Sequence, residues 1–138
     1  MRLDPVEARR RFATGRVAHL ATLRPDGTAA LVPIVFEAIG DRVVSAVDPK
    51  PKRTPELARL GHIARDPRVA LLVDHYEDDW KGLWWVRVDG AAQRVDDAAE
   101  AGRAIDLLVD RYPQYARARP GGPVVAISIE RMSGWSAA

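Results

Sequence analysis

Between Arg16 and Val47 the chain places three extended runs almost end to end, and this spacing constrains the fold more than any other feature. RVAHLATL (Arg16–Leu23) and TAALVPIVFE (Thr28–Glu37) are separated only by Arg24-Pro25-Asp26-Gly27. In that turn the proline presets φ for the first corner residue and the glycine accepts a positive φ. Gly40-Asp41 then turns the chain into a third run, Arg42–Val47. Parallel neighbours need a crossover of a dozen residues or more, so connections this short predict antiparallel pairing, read as a meander. Pro33 lies inside the second run and cannot donate to a ladder, which marks an edge, a bulge or a place where something else approaches the strand.

The same reading continues along the chain. Asp4-Pro5 with Glu7 forms an N-cap, a proline at the first helical position and a capping-box-like acid for a helix over 4–12, ended by Gly15. Thr54–Arg65 reads as a second helix with Leu57, Leu60 and Ala64 on one stripe, stopped by Asp66-Pro67. RVALLVD (Arg68–Asp74) is apolar on both faces and reads as a central strand, followed by an acidic loop over 75–82. Leu83–Val95 is a long strand with Gly90 as its bulge. A helix capped by Asp96 or Asp97 carries Ala101, Ala104, Ile105, Leu108 and Tyr112 on its apolar stripe. Residues 113–122 are irregular, with a helical turn around Tyr115, and Val124–Arg131 is the last strand before a short tail with Trp135. About six strands and two or three helices predict a mainly β, α+β protein: a small antiparallel barrel with helices packed outside it. The 138 residues are expected to form a single domain.

The chain contains no cysteine, which excludes disulfides, thiolate metal sites and cysteine nucleophiles. The N-terminus lacks the apolar core of a signal peptide and no apolar run is long enough to span a bilayer, so a cytoplasmic location without membrane contact is expected. A net charge of +2, with cations spread among nineteen acidic residues, gives no sign of nucleic-acid binding. His19, His62 and His75 have no metal-ligand spacing, and no serine sits near an obvious base, so neither a metal centre nor a hydrolytic residue is assigned.

Two stretches carry candidate chemistry. Lys50, Lys52 and Arg53 stand just before the helix opened by Thr54-Pro55-Glu56, where free backbone N–H groups and the helix dipole already favour an anion. Two of the three lysines in the chain are here. The pattern reads either as a phosphate or carboxylate clamp or as a solvated basic turn. Trp80, Trp84 and Trp85 fall within six residues. Adjacent strand residues point to opposite faces, so Trp84 and Trp85 cannot both be core. One of the three covers an interface or stacks on a planar ligand, or the set divides between core and a dimer contact.

The order of these segments resembles the pyridoxamine 5′-phosphate oxidase-like family of flavin and deazaflavin split-barrel proteins. The residues that carry the likeness are L-A-T-x-x-P-D-G-x-x-x-x-x-P at Leu20–Pro33, the basic segment Lys50–Arg53, R-D-P-R-V-A-L-L-V at Arg65–Val73, and WWVRVDGAAQRVDD at Trp84–Asp97. Within that family the chain looks most like the actinobacterial proteins that use the deazaflavin coenzyme F420. The resemblance implies a six-stranded split barrel forming a homodimer, with two cofactor sites at the subunit interface. It implies that Lys50, Lys52, Arg53 and Thr54 bind the cofactor phosphate or its acidic tail. Val32, Pro33, Ser45, Ala46 and Val47 would line the ring, with Trp80, Trp84 and Trp85 on the substrate or partner side. The expected activity is hydride transfer to an electron-poor small molecule of the enone, quinone or tetrapyrrole type. FMN in the same fold, or a cofactor carrier or sensor without turnover, are the alternatives. Because the sequence ends at RMSGWSAA without the family's longer basic C-terminus, vitamin B6 oxidation itself is not expected.

Overall fold

In a computed structural model, which describes residues 1–47 and 55–138, the chain forms one curled antiparallel sheet flanked by helices. The strands are β1 (Ala18–Leu23), β2 (Ala29–Ile34), β3 (Glu37–Ile39), β4 (Arg42–Ala46), β5 (Arg68–His75), β6 (Trp84–Arg94) and β7 (Val124–Ser136). The helices are α1 (Pro5–Thr14), α2 (Pro55–Arg65), α3 (Ala98–Arg111) and α4 (Pro113–Arg117), with a 3₁₀ turn at Trp80–Gly82. The described residues thus hold seven strands and four α-helices, where six strands and two or three helices are expected from the sequence.

The local signals act as read. The Asp4 side chain accepts the Glu7 N–H and Pro5 opens α1. Glu7 does not complete the reciprocal capping bond; its carboxylate binds Arg10 at 2.6 Å and Arg11 at 2.8 Å. Asp97, and not Asp96, caps α3. In the first turn Asp26 accepts from both the N–H and the hydroxyl of Thr28, and Gly27 takes a φ of 86°. The β6–β7 register shifts between Asp89 and Gly90, but the extra residue is Glu130 of β7, so the bulge lies on the strand opposite the glycine and not at the glycine itself. A Cβ at Gly90 would lie 2.2 Å from the Ser128 carbonyl oxygen.

The expected meander is corrected. β1 and β2 do form a hairpin, but the sheet order is β2-β1-β5-β6-β7-β4-β3. The run Thr28–Glu37 breaks after Ile34, and its end becomes β3 at the opposite edge. Only Val35 and Phe36 join the two edge strands. Six inter-strand spacings of about 4.8 Å would hold the edges of a flat sheet about 29 Å apart, whereas a two-residue link reaches only about 10 Å. The sheet therefore has to curl until its edges approach each other.

The corner that closes the curl is fastened from α3. Phe36 is fully buried, its N–H is bound by the Tyr112 hydroxyl at 3.1 Å, and its carbonyl lies 2.9 Å from the same hydroxyl. Arg111 donates to the Phe36 carbonyl at 2.6 Å and to the Ala13 carbonyl at 2.8 Å, and it also binds the Gly15 carbonyl. The core fills the concave side, with Leu20, Ile34, Val43, Leu71, Val73, Val86, Val88 and Ile127 meeting Phe12 of α1 and Ile63 of α2. On the convex side α3 covers Val44, Val124 and Ala126 with Ala104 and Ile105. The last strand runs five residues past its expected end, because Trp135 pairs with Trp85 on one side and bridges to Arg2 on the other.

Candidate functional site

Alternation along the strands assigns a convex face that α3 leaves uncovered, and the register fixes its rows. One row runs Pro33, His19, Leu72, Arg87, Ser133. The next toward the turn ends runs Leu31, Ala21, Ala70, Asp89, Arg131. On the other side lie Asp74, Trp85, Trp135 and Arg2. The β2–β1–β5 part of this face is apolar and the β6–β7 part is cationic.

The apolar part is hollowed into a groove of about 660 Å³. Ala21, Ala70 and Leu72 contribute small or apolar surface, with Leu31, Tyr76 and Trp85 around them and His19, Asp74 and Arg87 as its polar groups. Leu31 is 71% exposed and Tyr76 64%, so these large side chains meet nothing within the protomer that would bury them. A second hollow of about 410 Å³ lies between Arg16, Val17 and Val35 and the rings of Tyr112 and Tyr115.

Of the residues assigned from the sequence, Lys50, Lys52, Arg53 and Thr54 lie outside the described residues. The other ring-lining candidates, Val32, Pro33, Ser45, Ala46 and Val47, do not share one surface, and none of them lines the groove on the β2–β1–β5 face. Ser45 Oγ donates to the Val35 carbonyl at 2.8 Å, which ties the end of β4 to the segment leaving Pro33. Pro33 is exposed on the convex face, while Val32 points into the core. Ser45, Ala46 and Val47 are all buried within the protomer, so their side chains are not open to a ring.

The tryptophans divide as strand geometry requires. Trp84 packs against the core, stacked on His75 at 6.3 Å with the Arg11 guanidinium 5.6 Å from its ring. Trp85 faces the convex groove, and Trp80, in the 3₁₀ turn, is 74% exposed. The acidic loop is used locally: Glu77 binds His75 at 2.6 Å, and Asp79 accepts the Lys81 N–H. His62 bonds Thr22 at 3.0 Å behind the sheet.

Sequence reasoning missed His19, Leu31, Ala70, Leu72 and Arg87 as a group. The available signal was that Arg68–Asp74 is apolar on both faces. In a strand with helices on one side only, the second apolar face has to be covered by something else.

The pyridoxamine 5′-phosphate oxidase family model matches residues 5–136. The chain belongs to the pyridoxamine 5′-phosphate oxidase family. No curated protein sequence matches it. Among solved structures it is similar to an FAD-binding protein from Mesorhizobium loti, with 22% identity, a TM-score of 0.74, and 97% of this chain and 95% of that one covered. It is also similar to the FAD binding protein from Mycobacterium smegmatis, at 19% identity and a TM-score of 0.66, with 98% and 97% covered. A Corynebacterium glutamicum protein assigned as a pyridoxamine 5′-phosphate oxidase superposes with a TM-score of 0.67 at 18% identity, covering 99% and 98%. At these identities the similarity establishes a shared fold. The curled sheet described above is the fold that these structures share.

Proposed function

We propose that this chain is an oxidoreductase that holds a flavin-type ring on the uncovered convex face of its sheet, at the interface of a homodimer. The observation that carries the reading is the groove of about 660 Å³. Membership of the oxidase family and the FAD-binding neighbours support it. The groove fits such a ring in its chemistry: an apolar floor from Ala21, Ala70 and Leu72, an aromatic edge at Trp85, and donors at His19 and Arg87. A second copy laid over the same face would bury Leu31 and Tyr76 and close the groove against water.

Within this reading the bound ring supplies reversible hydride uptake and release, and the chain supplies orientation and shielding. The apolar floor excludes water, and Arg87 and His19 present N–H donors to polar atoms at the ring's rim. Lys50, Lys52, Arg53 and Thr54 are proposed to hold its phosphate or acidic tail through charge-assisted hydrogen bonds. Coenzyme F420 is the proposed cofactor, with FMN as the second reading because the solved relatives include flavin binders. Hydride would pass to an electron-poor acceptor such as an enone, a quinone or a tetrapyrrole.

Titration of the purified apo-protein with F420 and with FMN, followed by fluorescence, separates the two cofactors. Ala70→Glu places a carboxylate on the groove floor and is expected to weaken the ring's binding about tenfold or more, the loss of about 1.4 kcal/mol. Replacing Lys50 and Lys52 together by alanine is expected to weaken binding of the phosphate-bearing forms severely while leaving the fold intact. Ring binding unaffected by Ala70→Glu would refute the location. Tight binding with no turnover of any acceptor would make the protein a carrier or sensor.

A further inference from the structure

Strand parity turns Asp74 and Tyr76 toward the ring groove and His75 to the other side, where it is paired with Trp84 at the end of the β5–β6 ladder. The ladder therefore stops one residue short of Tyr76. The Tyr76 ring nonetheless borders the groove while remaining exposed. Something other than the sheet has to fix it there.

The residues on either side of Tyr76 bond to each other. His75 Nε2 and Glu77 Oε2 lie 2.6 Å apart, a clasp that closes the chain around Tyr76. Both halves of the clasp are anchored. The His75 imidazole is stacked on Trp84, with 6.3 Å between ring centroids and 23° between planes, and the Arg11 guanidinium lies 5.6 Å from the same Trp84 ring. The Glu77 carboxylate lies against Gly82, where a Cβ would overlap it. Gly82 in turn closes the 3₁₀ turn: its N–H donates to the Asp79 carbonyl at 3.1 Å, and the Asp79 side chain accepts the Lys81 N–H at 3.0 Å. The segment 75–82 is thus fastened within itself. An aromatic ring held exposed adds nothing to the stability of the protomer. Held beside an apolar groove, it is pre-organised for a planar occupant, because its ordering precedes binding.

From this we infer that Tyr76 contacts the ring bound in the groove, and that His75, Glu77 and Gly82 are positioning residues that act through it. The inference rests on the reading of the groove as a flavin-type ring site. Tyr76 stands beyond the Asp74–Trp85 pair, at the end of the groove away from Leu31. It therefore bounds the length of the occupant, and it does so with its aromatic ring and not with its hydroxyl.

The test measures binding of FMN and of F420 to the purified chain by fluorescence. Y76F is expected to bind like wild type, and Y76A about tenfold more weakly. H75F keeps an aromatic ring on Trp84 but removes the bond to Glu77, and G82A displaces the Glu77 carboxylate. These two and E77A are each expected to raise the Kd about fivefold, the effect of one side chain no longer ordered in advance. H75Q, whose amide can again donate to Glu77, is expected to recover part of the loss. The discriminating measurement is made in Y76A. There H75F and E77A are expected to change the Kd no further, since the residue through which they act is gone. In the ligand-free chain the ¹⁵N order parameter of Tyr76 is expected to fall in H75F and E77A and to be held in H75Q. Losses that persist undiminished in the Y76A background overturn the inference, because the clasp would then be serving the fold. So does an order parameter that H75F and E77A leave unchanged. Wild type that binds neither ring refutes the flavin reading instead, and the clasp is then decided by the relaxation data alone.

Discussion

Removal of one oxygen atom, in Tyr112→Phe, tests whether the curl is held from α3. The substitution keeps the ring that packs with Ala46 and Leu108, so the apolar burial is conserved and the hydroxyl's contribution is isolated. Two losses follow. The Phe36 N–H, which the hydroxyl accepts at 3.1 Å in a fully buried corner, is left without a partner. An orphaned buried donor costs about 1–3 kcal/mol. The hydroxyl's own proton, shared between the Arg16 and Phe36 carbonyls at 2.9 Å each, is also lost. That bond contributes about 1 kcal/mol net, and no more, because the Phe36 carbonyl keeps its bond from Arg111. The sum is about 2–4 kcal/mol. With an unfolding entropy of about 2.1 cal/mol/K per residue, a loss of 3 kcal/mol lowers the Tm of a chain this size by about 10 °C. Urea unfolding read by circular dichroism measures it, with the m-value expected to stay constant. A loss below about 1 kcal/mol, less than one net hydrogen bond, would show that the corner does not depend on this hydroxyl.

Other positions give independent checks. Gly90→Ala forces a methyl to within 2.2 Å of the Ser128 carbonyl oxygen, a backbone atom that cannot turn aside; a loss of about 3 kcal/mol in urea unfolding is expected. At Gly15 the φ of −64° suits any residue, but a Cβ would lie 2.5 Å from Val73 Cγ1. Gly15→Ala is therefore expected to destabilise, and the double variant with Val73→Ala to cost at least about 1 kcal/mol less than the two singles added. Glu7 is held down to about 2 by hydrogen bonds from Arg10 and Arg11, and Asp66 to about 2 by those from Arg68. Depressed carboxyls stabilise the fold above their unfolded values near 4 and lose that contribution as pH falls toward 2. Carboxyl ¹³C titration should find both midpoints well below the ordinary range, and Glu7→Gln should flatten part of the acid limb of the stability curve.

What the sequence displayed was whatever depends on neighbours in the chain. The Asp4 cap and the Pro25-Asp26-Gly27 turn each arise within a few residues and could be named from residue type; Gly90 marked the level of the bulge, but its extra residue, Glu130, is on β7. The break after Ile34 could not, because Val35 and Phe36 continue a run of strong strand formers. What separates them from β2 is a hydroxyl and a guanidinium 76 and 75 positions away, at Tyr112 and Arg111. Pro33 gave the nearest hint, and β2 is indeed an edge strand. Trp135 was hidden in the same way: Ser133-Gly134 looks like a turn, and only pairing with Trp85 and Arg2 makes it strand. The candidate site was legible in part. Strand parity alone separated Trp84 from Trp85, but the burial of Ser45, Ala46 and Val47 depends on how β4 sits between β7 and β3.

The uncovered face follows from the same closure. A sheet curled tightly enough for two residues to join its edges has a concave side filled by its own strands with α1 and α2, which leaves one helix, α3, to cover the convex side. The 14 residues of α3 span about 21 Å, enough to cover β4 and the first half of β7 and no more. The sequence nevertheless continues apolar side chains past the end of that cover, at Leu31, Ala70 and Leu72, and changes to arginine only on β6 and β7. Were solvent the only neighbour, charged or polar residues at these three positions would serve the monomer better, since an exposed leucine adds nothing to its stability and invites association. An apolar groove flanked by guanidiniums suits an occupant that is flat and apolar in its body and anionic at its margin, and that is the common outline of a redox ring carrying a phosphate.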